Sequence, residues 1–469
     1  MPGDDQPTVP YASPAWRSPA APPSATQPFP IPTHETSGTY AGAPPAEPGH
    51  HFSRRWFLAG AAGAGAAGAA ALALTHNSWG QLLSSKSTAG SAASAGKGKG
   101  ILVMVTLYGG NDGLNTVIPY QDSAYLQARP TLGYQPSQVL PLSDGLAFHP
   151  NLKGMKALWD AKQLAVVRGV GYPDPVLSHF RGMNIWQTGS PDTQVSTGVL
   201  GRWLDATGAD PMRAISVGAT LPVLLTGERS SGSAIEGSSI KIPGGSALTP
   251  ILASFDAPGP DRTGLAALVA QSGTDLLTVQ HALADLLSSP SANSSATPTT
   301  TVAGAGGKSD ISTLAGQLDI VAQLIKAGSP TKVYQVSMGG FDNHADEKDT
   351  HAGLMTDLDT GISGFMASIK DSPNAGGVVL MTYSEFGRRV AQNASGGTDH
   401  GTAAPLFVAG PGVKGGQFYG EEPSLTNLND GNLDFTTDFR SVFATMLADV
   451  VGVDPKVALT GSFPTLNLV

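Results

Sequence analysis

The sequence contains no cysteine. No disulfide framework or thiolate metal site can form, so any metal must be held by Asp, Glu, His or neutral oxygen ligands. A haem or flavin enzyme has no supporting motif, since Gly109-Gly110 does not complete a dinucleotide fingerprint. Positive charge is also in short supply. With 27 Lys and Arg against 36 Asp and Glu the net charge is −9, which offers nucleic acid no general attraction. No segment repeats at a period of about twenty to fifty residues, which argues against solenoids and propellers.

What is present is a chain of 469 residues, 41% of them hydrophobic, enough for one large core or two ordinary ones. Residues 1–52 are crowded with proline, alanine and threonine, a composition that cannot bury enough apolar surface to order itself. Ser53-Arg54-Arg55-Trp56-Phe57-Leu58 follows, a twin-arginine motif leading into an Ala/Gly run to Leu74, with a cleavage site after Ala71-Leu72-Ala73. An Ala/Gly-rich segment is a poor membrane span, so residues 53–75 read as an export signal for the twin-arginine machinery and not as a permanent anchor. Residues 76–100 read as a flexible spacer. The folded part is expected as a single α/β domain over residues 101–469, with an insertion at about 190–307 whose last stretch, 288–307, is a low-complexity disordered loop.

Ile101 to Leu107 is a continuous apolar run, as expected of a strand buried on both faces. It ends in Tyr108-Gly109-Gly110-Asn111-Asp112-Gly113, a glycine-rich turn carrying one carboxylate. A helix is expected from Asn151 to Ala161, a strand from Leu164 to Gly169, and a helix start capped by Ser178, where unpaired backbone N–H groups favour anions. After the insertion the alternation resumes. A helix capped by Asp310 or Ser312 precedes a strand at Val333–Met338; a helix at about Thr350–Ile369 precedes strands at Gly377–Thr382 and Pro405–Ala409, and a last helix is capped at Thr437-Asp438. Strands separated by helices argue for a doubly wound, mostly parallel sheet flanked by helices.

Polar clusters stand beside these strands: Asp112 after the first, Asp342 and His344 after the one at 333, Glu385 after the one at 377, and Asp399-His400 before the one at 405. Open α/β sheets place their active-site residues at such strand ends. Carboxylate oxygen with imidazole nitrogen suits zinc, manganese or another divalent ion. His149 reads as structural, His351 as a solvated helix-start residue, and Glu385 could instead pair with Arg388 or Arg389.

The motifs together, Ser53 to Leu58, Gly109 to Asn115, Ser178-His179-Phe180, Gly340-Phe341-Asp342-Asn343-His344, Ser384-Glu385-Phe386-Gly387-Arg388 and Gly397-Thr398-Asp399-His400-Gly401, resemble the bacterial twin-arginine-exported family catalogued as domain of unknown function 1501. The resemblance covers roughly Ile101 to Val450, and that family is in turn similar to the sulfatase and alkaline-phosphatase superfamily. It implies an alkaline-phosphatase-like fold with divalent-metal ligands at the carboxyl edge of the sheet. Position by position, it implies Asp112, Asp342, His344 and His400 as metal ligands and Ser178 as the nucleophile. The chain departs from the superfamily at one strand end, where Ser384-Glu385 replaces an Asp-His pair and leaves Glu385 as the ligand. The expectation is an exported metal-dependent hydrolase of small anionic phosphate or sulfate esters, with Arg388 or Arg181 binding the anion. The contrasting expectation is a non-catalytic exported binding or envelope protein that keeps the fold with an incomplete site.

Overall fold

A computed structural model describes residues 100–208, 210–237, 265–288 and 310–469. The n-region, twin-arginine segment and spacer, and the low-complexity stretch after Ser288, lie outside the described residues. The central strand is β1 (Ile101–Leu107), all seven of whose residues are buried. Its side chains alternate between two cores. Ile101, Val103, Val105 and Leu107 join one hydrophobic cluster, Leu102 and Met104 the other. A strand buried on both faces must be apolar at every position, which explains why the run is continuous.

Among the described residues eight further strands join the sheet: β2 (Leu164–Gly171), β3 (Ala214–Val217), β4 (Ser233–Ile235), β5 (Val333–Met338), β6 (Val378–Ser384), β7 (Ala404–Ala409), β8 (Phe418–Tyr419) and β9 (Thr437–Asp438). The order is β8-β2-β7-β6-β1-β5-β3-β4, with β9 also on β2. β1 pairs parallel with β5 (Leu102 opposite Val333) and with β6 (Ile101 opposite Val378). Among the described residues only β7 runs antiparallel to its neighbours in this sheet, β6 and β2. The reason is the connection: residues 385–403 carry no helix, and a reversal needs no helical crossover. The sheet is thus mostly parallel. The middle segment feeds it as well, since β3 and β4 come from residues after 190 and form one edge.

Helices cover both faces. Against the first core pack α1 (Lys153–Asp160), α4 (Leu265–Ser288), α5 (Leu314–Lys326) and α6 (Glu347–Ile369), through residues such as Trp159, Leu283, Val321 and Ile362. Against the second pack α2 (His179–Thr188), α3 (Val199–Thr207) and α7 (Phe439–Thr445), through Trp186, Trp203 and Phe443. Among the described residues no helix is long and apolar enough to cross a membrane.

Two capping details differ from expectation. Thr313, and not Asp310 or Ser312, caps α5, its hydroxyl accepting from Gly316 N at 3.1 Å. Ser178 occupies the N-cap position of α2, but its side chain makes no capping hydrogen bond. α1 has no cap of its own; Asp359 on α6 supplies one, accepting from Gly154 N (2.9 Å) and Met155 N (2.7 Å). Removing it leaves two helix-start N–H groups unpaired. Asp359→Ala is therefore expected to lower unfolding free energy by about 1–2 kcal/mol, read from urea denaturation, without altering metal binding.

Candidate metal centre

The loops that follow β1, β5 and β6 meet at the carboxyl edge of the sheet, and glycine lets them meet. Gly109 has φ +117°, and a Cβ there would lie 2.5 Å from Asp342 N. Gly397 passes so close to the next loop that a Cβ would lie 2.3 Å from the carbonyl carbon of His344. These approaches put Asp342 at the centre of three imidazoles.

His344 Nε2 is 2.9 Å and His400 Nε2 3.2 Å from Asp342 Oδ1, and the two nitrogens are 3.0 Å apart. His179 Nε2 lies 3.3 Å from Asp342 Oδ2 and has no hydrogen-bond partner although the atom is buried. His179, Asp342 and His400 offer ligand atoms that all lie within 4.8 Å of one another. The opposite ring nitrogens are each tied down. His179 Nδ1 donates to Glu385 Oε1 (2.8 Å), His400 Nδ1 to the carbonyl of Leu177 (2.8 Å), and His344 Nδ1 to Asp399 Oδ1 (3.3 Å). A proton kept at Nδ1 would free each Nε2 lone pair for a metal, the arrangement by which proteins orient metal-binding histidines. Three imidazoles and one carboxylate suit zinc or manganese.

Asp342 is about half exposed yet stays ionised. Burial acts to raise its pKa, but hydrogen bonds from Arg388 and His400 outweigh that and hold it at about 2.

Arg388 holds the centre from behind. It is buried, and it donates from Nε to Gly110 O (2.7 Å), from Nη1 to Thr398 O (2.8 Å) and from Nη2 to Phe341 O (3.1 Å), Gly109 O and Asp342 Oδ1 (2.8 Å). Its donors are spent on main-chain carbonyls and the Asp342 carboxylate, so the guanidinium clamps the loops and is not turned out to a substrate anion as the sequence had suggested. Arg181 is likewise engaged on its own helix and loop, with Asn184 and Pro191.

Two expected ligands are placed elsewhere. Glu385 is buried, and its Oε1 accepts from Gly109 N (2.8 Å) as well as from His179. It pairs with neither Arg388 nor Arg389 and acts on the metal position through His179. Asp112 is buried in an ion pair with Arg129, whose other donors reach Val390 O and Arg389 O, both at 2.9 Å. Burial would raise the Asp112 carboxyl, but Arg129 holds it below the usual range. Glu347, desolvated and facing Asp112, is pushed well above that range. His351, expected at the solvated start of a helix, is buried there against Asn111 Oδ1 (3.1 Å), and burial pushes its pKa down to about 4. His149 is structural as expected, bonded to Tyr134 Oη at 2.8 Å.

Of the sequence candidates, then, Asp342, His344 and His400 converge. Ser178 is exposed and sits between Leu177, which anchors His400, and His179. His179 was visible in the sequence as part of the helix start but not as a ligand, because its partners lie more than 160 residues away.

Residues 271–462 match the family model described as "Protein of unknown function (DUF1501)". That match agrees with the family the motifs resemble, and the DUF1501 segment contains Asp342, His344, Glu385, Arg388 and His400. No curated protein matches the chain. Solved structures similar to it include a protein in the alkaline phosphatase superfamily from Vibrio parahaemolyticus, at 12% identity over 78% of this chain and 70% of that chain with a TM-score of 0.35. Another is the lipoteichoic acid synthase LtaP from Listeria monocytogenes, at 9% identity over 78% of this chain and 75% of that one, TM-score 0.32. A third is the C-terminal periplasmic domain of EptC from Escherichia coli in complex with Zn, at 9% identity over 69% and 75%, TM-score 0.32. At these identities and scores the likenesses carry nothing about activity.

Two outcomes are expected from this geometry. Glu385→Gln weakens zinc binding by about 10- to 100-fold in calorimetric titration, because His179 loses the carboxylate that fixes its ring, whereas Ser178→Ala leaves affinity unchanged. The second concerns pH. An acid with a raised folded pKa contributes its stability below its unfolded pKa and loses it as pH rises through the folded one. Glu347→Gln, which cannot ionise, is expected to gain stability relative to wild type as pH rises from about 5 to 8, and parallel melting curves would contradict this.

Proposed function

We propose that the chain is an exported, metal-dependent hydrolase of phosphate or sulfate esters. The observation that carries the reading is the convergence of three Nδ1-anchored imidazoles on the Asp342 carboxylate, beside an exposed serine at a helix start. His179, Asp342, His344 and His400 would hold a divalent ion, which when bound supplies charge stabilisation for the transferring group. The chain's own contribution is positioning. α2 directs its first N–H groups toward the space next to Ser178, where an anionic group is favoured. Ser178, with no hydrogen bond restraining its hydroxyl among the described residues, is the nucleophile of this reading: its Oγ attacks phosphorus or sulfur and gives up its proton to solvent, the ester oxygen departs as an alcohol by taking up a proton, and water then cleaves the seryl ester to restore the serine and release phosphate or sulfate. The twin-arginine segment supplies the export half of the proposal, since that machinery carries proteins already folded.

One observation favours a second reading, a non-catalytic envelope or binding protein. Asp112 and Glu385 are committed to Arg129 and His179, so neither is free to complete a second metal position.

Metal analysis and turnover of aryl phosphate and aryl sulfate separate the two. Wild type is expected to retain about one divalent ion per chain, and Asp342→Ala and His400→Ala to lose it. Ser178→Ala is expected to keep the metal while turnover falls to background. Wild type with no more metal than the variants, and no hydrolysis, would overturn the enzyme reading.

A further inference from the structure

One side chain packed against the candidate centre carries no ligand atom. Phe386 is buried, 3% exposed, and its ring centroid lies 4.9 Å from that of His179 and 4.8 Å from that of His400, with the rings tilted by 40° and 35°. The two imidazoles meet each other edge to face at 4.4 Å, so the three rings close a triangle. His344 packs on its edge, against His400 at 4.8 Å. The chain makes room for the Phe386 ring. Gly110, at φ +74°, faces it so closely that a Cβ there would come within 2.5 Å of Phe386 Cε2, and a Cβ at Gly182 would lie 3.2 Å from its Cδ1. Main-chain bonds of the next residue, from Gly387 N to Thr402 O and from Gly401 N to Gly387 O, both 2.8 Å, tie this segment to the one that carries His400.

Hydrogen bonds alone leave these imidazoles some freedom. His179 and His400 are each anchored through Nδ1 by one bond of 2.8 Å, and a ring held at one atom can still tilt about it. Packing against an aromatic ring opposes that tilt. We infer that Phe386 is a positioning residue: its ring fixes the tilt of the His179 and His400 imidazoles and so sets how well their Nε2 atoms can share one ion. This rests on the metal-centre reading above and adds to it a residue without a polar atom. The effect is smaller than that of a lost anchoring carboxylate, about 3- to 10-fold in metal affinity.

Zinc titration of the full chain, together with imidazole NMR of protein labelled with 15N at histidine, tests the inference. Phe386→Leu, which keeps the position apolar without the ring, is expected to bind zinc about 3- to 10-fold more weakly than wild type. Phe365→Leu, which removes an equally buried ring from α6 in the first core, is expected to lower the melting temperature and leave zinc affinity unchanged. In the metal-free protein, Phe386→Leu is expected to move the His179 and His400 imidazole signals further than that of His344. Should the leucine variant fail to fold, Phe386→Met, whose flexible side chain fills an irregular gap, takes its place in both measurements. Unchanged zinc affinity on loss of the Phe386 ring, an equal weakening in Phe365→Leu, or a shift at His344 as large as at the other two would overturn the assignment. Wild type that binds no zinc would overturn the metal-centre reading, and this inference with it.

Discussion

A guanidinium taken out of water must find acceptors for its fork of donors, and Arg388 finds them in loops that are distant in sequence. Gly109 and Gly110 follow β1, Phe341 and Asp342 follow β5, and Thr398 belongs to the β6–β7 connection. A buried cation is costly unless it is paired and hydrogen-bonded, and the same contacts satisfy main-chain carbonyls that would otherwise be orphaned. The loops are held in register by this one side chain, and Asp342 is turned so that its carboxylate faces outward toward the imidazoles. Glycine is required at 109 and 397 because the clamp draws backbones closer than a Cβ allows.

From that fixed carboxylate the rest of the centre follows in layers. The three Nε2 atoms surround Asp342, while Glu385, Leu177 and Asp399 hold the opposite side of each ring. A second polar network lies behind the clamp, built on Arg129, Asp112 and Glu347. It joins the first through Thr398, whose hydroxyl donates to Glu347 Oε2 at 2.7 Å and whose carbonyl accepts from Arg388. The inner network is buried and the outer one open to solvent. That division separates residues that position from residues able to meet a ligand.

Much of this was legible in the sequence where the signal was local. β1 announced itself as a run apolar at every position, α6 as a stripe through Leu354, Leu358, Ile362, Phe365 and Ile369, of which all but Leu354 are buried, and Asp342, His344 and His400 as ligand-type residues at strand ends. The antiparallel turn of β7 was not legible, because only the lack of a helix across residues 385–403 distinguishes it. Nor were the partners of Asp112, Glu385 and Arg388. Each carries a charge suited to a metal or an anion, and what decides its role is a partner remote in the chain: Arg129 for Asp112, His179 for Glu385, and the carbonyls of Gly109 and Gly110 for Arg388. Residue type gave the chemistry each could perform, and tertiary placement chose among the options.

On binding a divalent ion, His179, His344, His400 and Asp342 would form one coordination sphere. X-ray absorption spectroscopy on the zinc-loaded protein tests it directly, since imidazole rings leave a distinctive multiple-scattering pattern at Zn–N distances of about 2.0–2.1 Å. The expected spectrum shows three imidazoles and an oxygen ligand, falling to two imidazoles in His179→Ala. A shell without imidazole scattering, or one unchanged by loss of His179, would contradict the account.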